Sequence, residues 1–443
     1  MDNVAVFEEV LQDDFYNLHA HTMFSNECLL DSINKVESVV PYVANTLKQK
    51  GVAITDHETV SAHPEAMQVV ERLKAEGKIP QDFKLILGNE IYLVSQEDYE
   101  EAIIHNKSTR FYHFILLAKN KRGHEQIREM SSRAWRRGRM FRGMERRPTF
   151  YSDIEEIVGN DKGNLVASTA CLGSRFSRLA LEFGQMELAI EQGYYFDFFN
   201  KTNVEVDAET ATARMDELRG DIHDFLMWGL DIFGDDFYVE VQPSHMEDQI
   251  IYNKVAHRIA TAYQIPMIVT TDAHYMRKED RKIHESYLNS DSEGEGNREV
   301  ADFYSTTYYF SSKELHEHLD YLGEDVVNEL IANTKGIAEK IEEYSLAHNQ
   351  VIPKIPLPPE EEWDNSKHGA IYEVMNKVPY HFPSLFDMFY SEEIYDRYLV
   401  HQCFNGLVDR IPVEDYPEYL TRLNLEFEEV LGVSQAKQEP ISS

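Results

Sequence analysis

Apolar positions in this chain gather in short runs rather than long stripes. FYNL at 15–18, VAIT at 52–55, KLIL at 84–87, FILLA at 114–118, LVAST at 165–169, FYVEV at 237–241 and MIVTT at 267–271 are each apolar or β-branched, the signature of buried strands. Helix-like spacing lies between them. The segment SINKVESVVPYVANTLKQKG predicts a helix with Ser32 as N-cap and Gly51 past its end, kinked or broken at Pro41. Such alternation predicts an α/β fold with a parallel sheet or a barrel.

The pattern changes after about residue 300, where SKELHEHLDYL and VVNELIANTKGIAEKIEEYSL have helical spacing. VIPKIPLPPEEEW, with its four prolines, reads as an extended connector. The expected organisation is a catalytic domain over 1–350, a proline-rich connector over 351–357 and a small helical region over 358–443. The tail SQAKQEPISS is expected to be disordered. In the helical region Val400, Phe404 and Leu407, then Leu420, Leu423, Phe427 and Val430, recur at amphipathic spacing. Their apolar faces require cover, from a partner or from the barrel.

Charge narrows the partners. Lys and Arg number 43 against 78 Asp and Glu, a net charge of −35 in 443 residues, which opposes binding a polyanion over the whole surface. A nucleic acid would be held locally, and RAWRRGRMFRGMERRP is the candidate, with Arg136, Arg137, Arg139 and Arg142 as DNA contacts. The competing reading is a solvated face of ion pairs. Three scattered cysteines exclude a disulfide framework and point to a reducing, cytoplasmic home. No run reaches the roughly 18 apolar residues of a membrane span, so no membrane partner is expected.

The chemistry sits at the strand ends. His19 and His21 follow the first run, Asp56 and His57 the second, Glu90 the third, Cys171 the fifth, and Asp272 and His274 the last. In a β/α barrel these ends share one face, so distant residues would converge there. Two histidines two apart on a strand point the same way and can grip one ion. Glu90, amid apolar residues in ILGNEIYL, needs a partner or a metal to offset its desolvation. A cysteine among carboxylates and imidazoles favours Zn, Mn or Fe over magnesium. His113 is the exception, because it precedes its apolar run.

HAHT, ITDHE, GNE, YHFILLAKN, ACLGS and TDAHY, in this order and approximate spacing, resemble the PHP (polymerase and histidinol phosphatase) domain of bacterial DNA polymerase III alpha subunits. The resemblance continues through YYFSSKELHEHL, NTKGIAEKIE and PKIPLP to YLTRLNLEFEEVLG. It implies a distorted seven-stranded (β/α) barrel of PHP type with a small helical C-terminal region. It also implies a cluster of two to three divalent metal ions held by His19, His21, Asp31, His57, Glu90, His113, Cys171, Asp272 and His274. His19, His21, Glu90 and Asp272 would hold one ion, Glu90, His113 and Cys171 a second, and Asp31, His57 and His274 a third. The loop HTMFSNECLLD is longer than the common family pattern, which leaves Glu27 as the alternative to Asp31.

Glu90, Asp272 and His57 are the positions on which catalysis would depend. The implied activity is 3′–5′ hydrolysis of single-stranded DNA or of a DNA 3′ end. A small-molecule phosphatase of the histidinol phosphatase type, or a non-catalytic module supporting a polymerase, is the alternative. The resemblance stops where the polymerase would begin, so a separate polymerase polypeptide, bacterial or virus-encoded, is the expected partner.

Overall fold

The computed structural model describes residues 13–27, 30–105, 107, 109–141, 144–198, 201–290, 303–347 and 355–436. The chain divides into two compact units, Met1–Ala347 and His348–Ser443. Most of the expected connector, and the tail after 436, lie outside the described residues.

The first unit carries β1 (Gly51–Ile54), β2 (Lys84–Val94), β3 (Tyr112–Ala118), a hairpin of β4 (Arg139–Phe141) and β5 (Met144–Arg146), and β6 (Pro148–Phe150). Then follow β7 (Leu165–Ser168), a second hairpin of β8 (Tyr194–Asp197) and β9 (Thr202–Glu205), β10 (Phe237–Val241) and β11 (Met267–Val269). One seven-stranded sheet runs β1-β2-β3-β7-β10-β11, with β6 beside β2. The segment carrying FYNL completes the ring. It forms parallel bridges from Asn17 to Val52 and from Ala20 to Ala273, and the amides of His21 and Ala273 donate to the carbonyls of Ala273 and His19 at 2.9 and 3.2 Å.

Strand parity explains the inside of this barrel. Ala53, Ile86, Ile115, Leu117, Val166, Tyr238 and Ile268 pack into one interior cluster, closed by Ile337, Ala338 and Ile341. Their neighbours Val52, Ile54, Phe114, Leu116, Val239 and Val241 face the outer helices instead. Counting by twos from Ile86, Ile115 and Tyr238 leads to Glu90, His113 and Glu240, which therefore also point inward. Parity slips in the first segment: Leu18 is in the interior cluster and Ala20 in an outer one, yet His19 and His21 both reach the mouth.

Two expectations change. The sheet is mixed, not parallel, because β3 runs antiparallel to both β2 and β7. This accounts for His113, since on a reversed strand the N-terminal residue stands at the mouth. The helix after Ser32 begins at Val36 and continues past Pro41 as a π-turn over Tyr42–Thr46. Ser32 caps nothing; its hydroxyl donates to the carbonyls of His21 and His274, both at 3.0 Å.

The second unit has its own core, in which Ile371, Met375, Phe382 and Leu385 meet Val400, Phe404, Leu407, Leu420 and Phe427. The apolar faces read from sequence are thus covered by the unit's own helices, with Leu423 packed against that core and Val430 left 42% exposed.

Candidate metal centre

Ligand atoms converge at the barrel mouth in three groups: His19, His21, Glu90 and Asp272; Glu90, His113 and Cys171; His21, Asp31, His57 and His274. These are the nine residues named from sequence, with His21 also beside the third group. Asp31 is the loop residue that reaches the site; the side chain of Glu27 lies outside the described residues.

The imidazoles are oriented from behind. His19 Nδ1–H donates to Glu240 Oε1 at 2.7 Å. That carboxylate also accepts from Ser168 Oγ at 2.6 Å and Thr270 Oγ1 at 2.5 Å. Ser25 Oγ gives its proton to Asp56 at 2.7 Å and so accepts from His21 Nδ1 at 3.0 Å. His274 Nδ1–H donates to the Asp272 carbonyl at 2.6 Å. Each ring thus turns Nε2, with its lone pair, toward the cup, and a partner on the opposite nitrogen is how proteins fix a metal-binding tautomer.

The only positive charge in the cup is that of its own imidazoles. His19 Nε2 and His21 Nε2 face each other at 3.2 Å, and both lie within 3.1 Å of carboxylate oxygens of Glu90 and Asp272. His57 Nδ1, Glu90 Oε1 and Asp272 Oδ1 are buried and face only other members of the cup: His57 Nδ1 meets Glu90, Glu90 Oε1 meets His113, and Asp272 Oδ1 meets His19 and His21. Burial alone would raise the Glu90 carboxyl, but the His113, His57 and His19 charges hold it well below the usual range. Burial would lower His21, yet hydrogen bonds to Asp272 and Glu90 hold it up at about 10. Burial, with Asp272 and Glu90, pushes the Cys171 thiol well up. Buried ring nitrogens and ionised carboxylates that face only one another fit divalent cations, which would replace protons and ionise the thiol.

The backbone is shaped for this. Glu58, Ala170 and Asp272, each at or next to a ligand, have φ of 55°, 57° and 48°, a left-handed conformation costly for residues with a side chain. Gly173 lets the turn after Cys171 lie on His113, because a Cβ there would sit 2.9 Å from the ring.

Other polar residues have plainer roles. Asp56 accepts from the Thr22 amide at 2.6 Å and anchors the turn carrying His21. Lys119 pairs with Asp236 at 2.7 Å, and Asn120 caps the helix Lys121–Arg137. His245 lies against His318, ring centres 4.5 Å apart. The arginine run splits: Arg136 and Arg139 are exposed, whereas Arg137 is held by both oxygens of buried Asp153 and lies 4.2 Å over Phe150. Arg137 is therefore corrected from DNA contact to structural ion pair, and Arg142 lies outside the described residues.

Sequence reasoning missed Glu240, Tyr304 and His284. Tyr304 OH donates to Asp31 Oδ1 at 2.8 Å, and His284 Nε2–H to the Asp31 carbonyl at 2.5 Å. Glu240 had a signal, since a carboxylate inside FYVEV raises the same desolvation question as Glu90. Tyr304 and His284 had none, because only folding brings them to the loop.

Fold and cup together define a barrel with a histidine–carboxylate–cysteine mouth. The PHP domain model matches residues 17–244, more than half the chain, and the chain belongs to that family. His19 through Cys171 fall inside the match, Asp272 and His274 beyond it. The DNA-directed DNA polymerase of Bacillus phage SPbeta is 38% identical over 434 residues, 96% of this chain and 30% of that protein. DNA polymerase III subunit alpha of Thermus aquaticus is 27% identical over 275 residues, 62% of this chain and 18% of that one. The chain thus spans about 30% of the length of the first curated relatives it matches. A solved amidohydrolase of Chromobacterium violaceum aligns with 59% of this chain and 87% of its own at 13% identity, with a TM-score of 0.27, too loose to bear on function. No helix among the described residues is long and apolar enough to cross a membrane.

Proposed function

We propose that this chain is a metal-dependent phosphodiesterase that removes nucleotides from a DNA 3′ end, a 3′–5′ exonuclease serving replication or proofreading. The observation that carries the reading is Glu90, whose carboxylate belongs to two of the three ligand groups. A shared carboxylate would set two cation sites side by side, an arrangement suited to phosphoryl chemistry. His19, His21, Glu90 and Asp272 would hold one ion, Glu90, His113 and Cys171 another, and His57, Asp31 and His274 a third, with Zn, Mn or Fe suited to the mixed donors. Bound there, divalent ions supply charge neutralisation at a phosphoryl centre and a more acidic water.

The protein's own part is positional. Glu240, Ser25 and the Asp272 carbonyl hold the imidazole tautomers, and Tyr304 steadies Asp31. The polymerase relatives support DNA as substrate and a polymerase polypeptide, joined or separate, as partner. The test is metal analysis of chelator-free protein together with manganese-supported hydrolysis of a 5′-labelled single strand against an aryl phosphate. Two to three ions and strand shortening from the 3′ end are expected. Metal-free protein overturns the reading, and hydrolysis of the aryl phosphate alone moves it to a small-molecule phosphatase.

A further inference from the structure

Arg146, on β5, sets its guanidinium carbon 5.3 Å from the Tyr92 ring centre and 5.5 Å from that of Phe111. Tyr92 stacks on His113, ring centres 4.9 Å apart and planes 18° from parallel, and stands 5.5 Å from His57. Aromatic contacts therefore connect the cup to a cation. The adjacent arginine is committed elsewhere: Arg147 is buried, pairs with Glu145 at 3.0 Å and lies 3.5 Å over Trp135. Among the described residues Arg146 makes no ion pair with a carboxylate, and Glu58, which burial pushes up to about 8, is the acid that feels its charge. In a chain with 78 acidic residues against 43 basic ones, a half-buried arginine beside the site that makes no ion pair among the described residues has a place for an outside anion.

We propose that Arg146 grips the phosphate adjacent to the scissile one in a single DNA strand, with Tyr92 and Phe111 holding the guanidinium at the rim of the cup. This rests on the phosphodiesterase reading and names the grip on its substrate. A planar guanidinium meets two phosphate oxygens at once, which a lysine cannot reproduce. A lone phosphomonoester presents no second phosphate for it.

The experiment uses the full chain with Arg146→Ala, Arg146→Gln and Arg146→Lys. Binding of a fluorescein-labelled single-stranded DNA is read by anisotropy on chelator-treated protein over a salt series, and manganese-supported hydrolysis is read as KM and kcat. In Arg146→Ala, Kd and KM rise by about tenfold or more while kcat moves less. The slope of log Kd against log salt shrinks by about 0.7. Lysine restores the slope but not the full affinity. Arg146→Gln keeps the side-chain stem over Tyr92 and decides the matter if the alanine variant unfolds. Unchanged Kd and slope in a folded variant, or no strand binding by the wild type, overturn the grip. Hydrolysis by the wild type with an unchanged variant sinks the grip alone; Arg146-dependent binding without hydrolysis sinks the nuclease alone.

Discussion

His63 and His124 meet between the helices His63–Ala75 and Lys121–Arg137, as hidden from solvent as His19 and His21 at the barrel mouth. Their surroundings differ. His63 Nε2–H donates to the Gly88 carbonyl at 2.9 Å, which leaves Nδ1 to accept from His124 Nε2 at 2.9 Å. Among the described residues no carboxylate pairs with either ring. Burial, with each other's charge or Arg128, drives His63 to about 3 and His124 to about 4. At the mouth, carboxylates outweigh burial and hold His21 at about 10. Burial therefore does not make a ligand. What separates the clusters is whether ring nitrogens converge beside carboxylates, whose charge holds protons there that a divalent cation would replace.

The strongest way to break this contrast is to remove charge from the mouth. Glu90→Gln keeps the shape but takes the shared carboxylate from two of the three groups. Metal content should fall, and manganese-supported strand hydrolysis should drop by at least about 100-fold. A variant that keeps full metal content, measured by mass spectrometry, and full activity would show the mouth to be no more a cation site than the His63 pair.

The tautomer argument is tested one layer back. Glu240→Gln leaves His19 with a weaker acceptor and brings an extra donor among Ser168, Gln242 and Thr270. Zinc affinity, read by competition with a chromophoric chelator, should weaken about 10- to 100-fold. An unchanged affinity would mean that Glu240 merely fills the barrel.

The two clusters should also answer to pH with opposite sign. His63 and His124 titrate below their unfolded value of 6.5, so the unfolded chain takes up protons first as pH falls. Stability is then lost from 6.5 downward, by roughly 2 kcal/mol for each histidine by about pH 5. His21 in metal-free protein sits above 6.5. Its contribution is full below that value and is lost as pH rises through about 10. Urea midpoints of metal-free protein across pH 5 to 9 read both limbs, expected to flatten on the acid side in His63→Leu with His124→Leu. An unchanged acid limb in that double variant would refute the neutral-pair assignment.

Much of the site was legible because each residue carried its own signal. Glu90 stood as a carboxylate in an apolar run, Cys171 and Asp272 at strand ends, and His19 and His21 at strand spacing. His113 was legible only through the family likeness, since nothing local announces that β3 is reversed. The supports were dark for a physical reason. A hydrogen bond such as Tyr304 to Asp31 joins residues far apart in the chain, and neither end is unusual in its own neighbourhood. His63 and His124 show the converse, a histidine contact with no pattern in the sequence at all. The second unit was misjudged because amphipathic spacing says that a face needs cover but not which surface covers it.

The smallest expected effect concerns the arginine run, uniform in sequence and divided in the structure. Arg137 pairs with Asp153, so Arg137→Ala leaves that buried carboxylate only the Phe150 amide and Arg133 at 3.4 Å and should cost about 1 to 2 kcal/mol of stability. Arg136 and Arg139 are exposed and cost little to remove. If both meet phosphates of a bound strand, Arg136→Ala with Arg139→Ala should flatten the salt dependence of DNA binding by about 1.4 in slope, near 0.7 for each contact. Thermal midpoints and salt-dependent anisotropy on the same preparations separate the roles. A double variant with the wild-type slope assigns Arg136 and Arg139 to the solvated face. The local hold that a chain of net charge −35 needs on a polyanion would then fall to residues at the cup itself.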